Sequence, residues 1–465
     1  MSVFRFLWVG LAALPLVGWG QVAPALTLPQ ALDVARTTYP ALRARQAGIV
    51  AATADVRTLR ANYLPQLTAQ AQALDATSNQ ARGALLGGIG PNVPGVRPYT
   101  SSQASWASQG MLYIDWPAVT FGRYRADVQR AEASVGQAQA DYDQELFQHQ
   151  VQVADAYLLA LAAQKAVALQ EANLRRTQSL RRVILAATRA GVQAGIDSAT
   201  ANAENSRAQL QLLVSKQQAE QQRVRLAGLL GAPAQQLTLV DSTQFFVQLP
   251  RLPAAADTVD LRHHPTLLAY KQRVATSDAQ ANVLALNSRP TLSVVGATWG
   301  RGSGAASGAN PDGSYNIDPS LGAGLPFKVY NYAVGAALTW RLTELVHSKR
   351  AATAQLARSE QARADYSQQE LQLRTEQQNA RSQLELARQS ALAAPAQLDA
   401  ARQAYGQAQA RYNAGLDNLL VLTQATLVLN RAETDQAIAT SNVWRALLLQ
   451  AATNGHLEEF TQQLP

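Results

Sequence analysis

The chain has 465 residues, of which 47% are hydrophobic, 15% charged and 6% aromatic, and it carries a net charge of +8. A length of that order ordinarily means two to four globular domains, yet Ala, Gln and Leu dominate, as they do in long helices rather than in sheet-rich cores. The absence of cysteine excludes disulfides, thiolate metal sites, a thiol nucleophile and a lipid-modified N-terminal cysteine, and a mean hydropathy of −0.13 excludes a multi-span helical membrane protein. The positive excess is spread along the chain, so no nucleic-acid partner is expected.

In chain order, residues 1–20 read as a signal peptide. Arg5 supplies the positive start, Phe6 to Val17 the apolar run, and Gly18-Trp19-Gly20 the small residues before cleavage. The run is too short for a spanning helix, which needs roughly 20 apolar residues. A helix is expected from Leu28 to Asn62, with Thr27 as its cap, ended by Pro65. The period then changes from 3.6 to 2: Leu67, Ala69, Ala71 and Ala73 alternate with Gln66, Thr68, Gln70 and Gln72, which predicts an amphipathic strand. A Gly/Pro-rich loop (82–103) leads to a second strand with Leu112, Ile114 and Trp116 on one face. From Phe121 to Arg189 there is no proline. Val128, Val135 and Tyr142, then Leu146, Val153, Ala160, Val167 and Leu174, recur at sevens, so one helix of roughly 100 Å is expected. The chain turns at Ala190-Gly191, returns as a shorter helix to Leu230, and passes through an irregular segment, 234–256, expected as a collar.

The same order then repeats. Tyr39-Pro40-Ala41-Leu42 recurs as His264-Pro265-Thr266-Leu267, and Asn62, Pro65 and Leu67 as Asn287, Pro290 and Leu292, all 225 positions apart. Trp116 pairs with Trp340, Ala190-Gly191 with Ala414-Gly415, and Gly231 with Gly455, 224 apart. The chain therefore reads as two structural repeats, 21–255 and 256–465, each a helix, two strands and a long helical hairpin. The second pair of strands is expected at Thr291 to Trp299 and Asn331 to Leu342, with Val334, Ala336, Leu338 and Trp340 sharing a face. Arg301 to Phe327 is expected as a loop, and Pro395 as a kink in the second long helix.

No catalytic constellation is expected. His263-His264 are adjacent and so point apart, His149 and His347 lack ligand partners at helical spacing, and Glu458-Glu459 reads as a solvated tail. The stretch Gly302 to Gly313 lacks the Lys-Ser/Thr of a phosphate loop. Neither cofactor nor metal is called for.

The chain resembles the TolC-like family of bacterial outer-membrane efflux proteins. The residues that carry the resemblance are Tyr39-Pro40, Pro65-Gln66-Leu67, Trp116 through Gly122-Arg123, Ala190-Gly191 with Asp197, and Arg411-Tyr412-Asn413-Ala414-Gly415-Leu416. The resemblance implies a mainly α fold with a small β part. A homotrimer would close a 12-stranded outer-membrane β-barrel, four strands per protomer, continued by a long periplasmic α-helical barrel. Physical reasoning agrees on closure, since four strands leave open edges that cannot be satisfied in lipid, and only a trimer or larger leaves an aqueous bore. Leu112, Ile114, Trp116, Val334, Ala336, Leu338 and Trp340 are then expected to face outer-membrane lipid. The resemblance further implies an exit duct, not an enzyme, working with a periplasmic membrane-fusion adaptor and an inner-membrane RND or ABC pump. The adaptor would meet the hairpin tips at Ala190, Gly191, Ala414, Gly415 and Leu416. The family's closing network implies a bond between Asp197 and Tyr412. Where its basic partner is expected the chain has Asp417, and where acidic residues are expected it has Val421 and Gln424. A periplasmic coiled-coil adaptor or scaffold is the alternative, but neither explains paired amphipathic strands.

Overall fold

The computed structural model describes residues 26–77, 102–233, 237, 239, 245–246, 249–250, 260–311 and 315–463. The expected signal peptide, most of the 82–103 loop and most of the collar lie outside those residues. The described elements are α1 (Leu28–Thr38), α2 (Pro40–Asn62), β1 (Gln66–Ala76), β2 (Ser105–Val119), α3 (Arg123–Arg189), α4 (Gly195–Leu230), a 3-10 turn (Leu261–His263) and α5 (Pro265–Leu286). Then follow β3 (Thr291–Ser303), β4 (Ala305–Ala309), β5 (Tyr315–Ile317), α6 (Leu321–Gly324), β6 (Val329–Thr339), α7 (Glu344–Asn413), α8 (Leu419–Asn454) and α9 (Glu458–Thr461).

Two expectations are corrected. The opening helix is two helices, because Pro40 lacks an amide hydrogen and forces Tyr39 to an extended ψ of 119°. Thr27 does cap α1, in a reciprocal capping box with Gln30. The expected loop 301–327 instead extends β3 to Ser303 and carries the β4–β5 hairpin and α6. α7 runs as helix through all 70 residues with Pro395 inside it. The flanking residues Ala391, Ala394 and Leu398 are buried, so packing holds the helix across the one missing backbone bond.

The chain forms two compact units, each drawing on both halves of the sequence. One comprises Met1–Gln46, Ala140–Ala269 and Ser367–Pro465; the other comprises Ala47–Gln139 and Tyr270–Tyr366.

The first unit is helical. Its main core gathers Leu28, Leu32, Val153, Tyr157, Leu161, Leu226, Leu230, Val443, Trp444 and Phe460 from α1, α3, α4, α8 and α9. Of the heptad positions read from the sequence, Val153 and Ala160 are fully in this core. Phe245 packs edge-on against Trp444 at 5.4 Å, and the Trp444 indole donates to the Phe245 carbonyl. Burial pushes the Tyr157 phenol up to about 12, and its hydroxyl donates to the Leu26 carbonyl. Two histidines are also buried. His149 stacks on Tyr39 at 3.7 Å. His264 accepts from the Thr266 amide at Nδ1, which leaves the proton on Nε2 to donate to the Ala452 carbonyl. The neighbouring His263 is exposed beside Asp260, so the two rings diverge.

The second unit holds a four-stranded antiparallel sheet in the order β1-β2-β3-β6. Each half of the chain thus contributes one strand pair, and β2–β3 joins them. The β2–β3 register slips between Trp116 and Val119, where Pro117 has no amide to donate.

Burial depresses the proton affinity of both His149 and His264. The native state therefore keeps them neutral while an unfolded chain takes up protons near pH 6.5, so stability is lost as pH falls through that value. The thermal midpoint of the helical signal should drop between pH 7.5 and 5.5, above the range where carboxylates titrate. His149→Phe, which keeps a stacking ring but cannot be protonated, should flatten that profile. An unaltered profile would show that His149 is not the titrating group.

Candidate functional site

Two sets of residues read from the sequence can now be placed, one in each unit. In the sheet, directly paired residues of antiparallel strands share a face. Leu112 pairs with Ala69 and Thr298, Ile114 with Leu67 and Gly296, and Trp116 with Val294. Val294 and Leu292 pair in turn with Ala336 and Leu338, and Gly296 with Val334. All six expected strand residues therefore lie on one apolar face, joined by Tyr330 and Tyr332. Trp340 follows one residue after β6, and its indole donates to the Ser288 carbonyl. The opposite face carries Gln66, Thr68, Gln70, Gln72, Gln109, Tyr113, Asp115, Ser293, Arg301 and Asn331 by the same pairing. Met111, Val295, Trp299 and the small residues Ala297, Ala333 and Ala337 share it, so it is the more polar of the two and not uniformly so. On that face the Arg301 guanidinium donates to Gln109, its register partner. β1 and β6 are the edges, each paired on one side only. No helix among the described residues is long and apolar enough to cross a membrane.

In the helical unit, both hairpins turn with the same backbone geometry. Gly191 has φ of +73° and Gly415 of +70°. Val192 N donates to Ala187 O and Gly191 N to Thr188 O; Leu416 N donates to Arg411 O and Gly415 N to Tyr412 O. These are two Schellman endings. Nothing lies within 4 Å of a Cβ built at either glycine, so the left-handed backbone, not space, requires them. Ala190 and Ala414 close the helices just before. The residues that follow are apolar and exposed in both copies: Val192 at 77%, Ile196 at 74%, Leu416 at 68% and Leu420 at 67%.

The tip bonds differ from those the resemblance implied. The Tyr412 hydroxyl bonds the Gln193 amide, at 3.1 Å to Oε1 and 2.8 Å to Nε2, not Asp197. Asp197 stands in the first turn of α4, whose cap position is Ala194 and carries no side-chain bond. Its carboxylate has no hydrogen bond or ion pair among the described residues and acts on the helix N-terminus only through the macrodipole. Asp417 is not a free acid at the tip: Arg411 donates to both its oxygens, at 2.6 and 3.3 Å. This guanidinium holds the Asp417 carboxyl below its ordinary range. Asn418 caps α8 by accepting from the Val421 amide, and the Val421 and Gln424 side chains are exposed.

Sequence reasoning missed Gln193 and Arg411. The signal for both was present. Gln193 and Asp417 are equivalent positions of the duplication, 224 apart, and each bonds a neighbouring residue at the end of α7. Further back, Arg176 of α3 makes a two-point bond with Glu433 of α8 at 3.1 and 2.7 Å, and Arg445 pairs with Asp155 at 2.7 Å. A small core of Ile184, Ala201 and Leu419, with Leu180 and Tyr412 against it, lies beneath the turns.

A lengthwise-split sheet with one apolar and one polar face, and duplicated helical hairpins, define an outer-membrane protein of the efflux type. The outer membrane efflux protein family matches residues 31–232 and 260–455, and the chain belongs to it. The pyoverdine export outer membrane protein OpmQ of Pseudomonas putida is 27% identical over 292 residues, covering 62% of this chain. The chain spans only 60% of that relative's length. Among solved structures, the outer-membrane channel OprN superposes with a TM-score of 0.71 at 24% identity, covering 92% of this chain and 89% of that one. The outer membrane protein VceC of Vibrio cholerae does so with 0.72 at 16% identity, covering 92% and 96%. These two likenesses establish the fold.

The Gln193–Tyr412 bond can be checked at the tips themselves. A neutral hydrogen bond of this kind contributes about 1 kcal/mol. Tyr412→Phe and Gln193→Ala should each speed amide exchange across 187–197 and 411–421 by a similar factor, and the double variant should add little more. Asp197→Ala, which removes only a charge from the start of α4, should leave exchange across 411–421 unchanged. Independent, additive effects of the two substitutions would mean the residues act separately.

Proposed function

We propose that this protein is the outer-membrane exit duct of a tripartite efflux or type I secretion assembly, working as a homotrimer. The observation that carries the reading is the sheet: four strands, one apolar face, one polar face, and two unpaired edges. An unpaired backbone group in lipid costs several kcal/mol, and β1 and β6 present a row of them. Three copies would pair every edge and close 12 strands around the polar face, leaving a water-filled bore. Leu112, Ile114, Trp116, Val334, Ala336, Leu338 and Trp340 would then meet lipid.

The hairpin tips support the partner side of this reading. The exposed pairs Val192/Ile196 and Leu416/Leu420 repeat one apolar surface per hairpin, suited to the apolar tip of a periplasmic membrane-fusion adaptor. Ala190, Gly191, Ala414 and Gly415 shape those turns. Cargo choice would rest with the RND or ABC pump in the inner membrane. The closing contact at rest would be Gln193–Tyr412, with Arg411–Asp417 fixing the second turn, while Asp197, Val421 and Gln424 line the tips without bonding each other.

An arginine near the middle of a lipid-facing strand costs roughly 2–4 kcal/mol. Val334→Arg, central on the apolar face, should deplete assembled trimer, as sized by light scattering of detergent-extracted protein. Ala333→Arg, on the polar face, should assemble normally. Equal tolerance of both, or a folded monomer in the parent protein, would sink the barrel reading. In planar bilayers Tyr412→Phe should raise single-channel conductance with the trimer intact; an unchanged conductance would move the closing contact elsewhere.

A further inference from the structure

The segment that leads into β6 is built in a way the duct reading does not use. Leu321-Gly322-Ala323-Gly324-Leu325-Pro326-Phe327 has no charged or hydrogen-bonding side chain. It contains α6 and folds back over the sheet, packing on β2 and β3. The glycines show which face it covers. Gly110, Gly300 and Gly302 lie on the apolar face by register, since Gly110 pairs with Ala71 and Gly300, and Gly302 with Ser108. A Cβ on Gly302 would meet Pro326 O at 2.3 Å and Gly324 O at 2.7 Å; Cβ atoms on Gly110 and Gly300 would meet the Phe327 ring at 2.7 and 2.9 Å. The three glycines thus form a notch that admits this segment and its aromatic ring.

The seat is pinned at several points. Ser108 Oγ donates to the Leu325 carbonyl at 2.9 Å, the Lys328 amide to Arg301 O at 2.7 Å, and Lys328 Nζ to Ser303 O at 2.6 Å. With its backbone and one face of the Phe327 ring turned to the notch, the segment leaves Leu321 and Leu325 exposed at 46% and 44%, and the outer part of Phe327 at 42%.

We infer that Leu321–Phe327 is a membrane-interface anchor: a flap clipped to the outside wall of the barrel that inserts its apolar side chains among the acyl chains of the outer leaflet. The inference rests on the lipid-facing assignment of the apolar face proposed above. Its height on the wall fits. From the Leu292–Leu338 pair to Gly300 is eight residues, roughly 27 Å along the strand. At a tilt of about 40° that is roughly 21 Å along the membrane normal, near the top of an apolar band about 25 Å tall. The occupant is lipid and not a second copy of the chain, because the notch lies on β2 and β3, the central strands. Neighbouring subunits would pair at β1 and β6. An apolar, uncharged stretch at the boundary of an apolar band continues that surface into the interface, where amphipathic segments bury 5–10 Å deep.

The absence of cysteine makes a clean test. Single-cysteine variants of the full-length protein at Leu325, Val334 and Asn316 would carry a nitroxide and be reconstituted as assembled protein in vesicles of outer-membrane lipid. Collision with oxygen, which concentrates among acyl chains, would be compared with collision with a water-soluble nickel chelate. The expected result is an oxygen-dominated label at Leu325→Cys, like that at Val334→Cys, against a nickel-dominated one at Asn316→Cys in β5. Adding Gly302→Ala to Leu325→Cys should push the flap off its seat and shift the label toward nickel, leaving Val334→Cys unmoved. A nickel-dominated label at 325 with an oxygen-dominated one at 334 would overturn the anchor alone. Nickel dominance at 334 as well would overturn the lipid-facing reading and the anchor with it.

Discussion

A backbone amide or carbonyl placed in hydrocarbon must find a partner within the protein. The sheet of this chain is arranged around that demand and, within one protomer, meets it only halfway. Each half of the chain supplies a strand pair, and the β2–β3 pairing joins them across the duplication. Two full edges remain. Apolar and polar residues alternate cleanly from Gln66 to Ala73 of β1. On β2, β3 and β6 large apolar residues crowd one face, and the other mixes polar side chains with small ones and with Met111, Val295 and Trp299. Under the proposed reading, such a sheet with open edges is complete in a closed ring, and oligomeric assembly would follow from strand count and need no added property.

The duplication conserves what the backbone requires and releases what it does not. Gly191 and Gly415, like Gly231 and Gly455, take positive φ at equivalent helix ends. No other residue does so without strain, so both copies keep them. At the next positions the side chains diverge. Gln193 meets Tyr412 through a neutral bond, whereas its equivalent Asp417 meets Arg411 through a charged one. The first bond crosses from one hairpin to the other; the second stays within its own. Two hairpins with identical turns thus carry two unlike contacts, one of which ties the hairpins together while the other stiffens a single turn.

What was legible in the sequence was what is local. The period-2 runs put Leu112, Ile114 and Trp116 together on one strand face and Val334, Ala336 and Leu338 on another, because alternation follows from the pleat alone. The register joins the two into one face of the sheet. Glycine after a long helical run announced each turn. The break between α1 and α2 was also local, written in Pro40, and was passed over because helical spacing continues on both sides. The tip pairs were not legible in that way. Tyr412 lies 219 positions from Gln193, and a resemblance to a family pattern pointed to Asp197 instead, a residue that the helix start holds in place for its own reasons.

Glycine is a poor strand residue, since it gives up entropy and packs nothing, yet β3 carries Gly296, Gly300 and Gly302 on one face. Each has an occupant. The Ile114 side chain fills the space over Gly296, at 2.8 Å from a built Cβ, and the Phe327 segment fills the space over Gly300 and Gly302. By contrast a Cβ on Gly335, in edge strand β6 on the opposite face, meets nothing within 4 Å. On the apolar face, then, glycine does not mark a weak strand but a place where another part of the chain has been admitted. A cross-strand isoleucine closes the lower gap and keeps the apolar face smooth. At the upper gap the chain brings its own backbone and the Phe327 ring against the sheet, pins them through Ser108 and Arg301 O, and leaves Leu321 and Leu325 exposed. A loop that only had to span β5 to β6 would need neither the notch nor the pins.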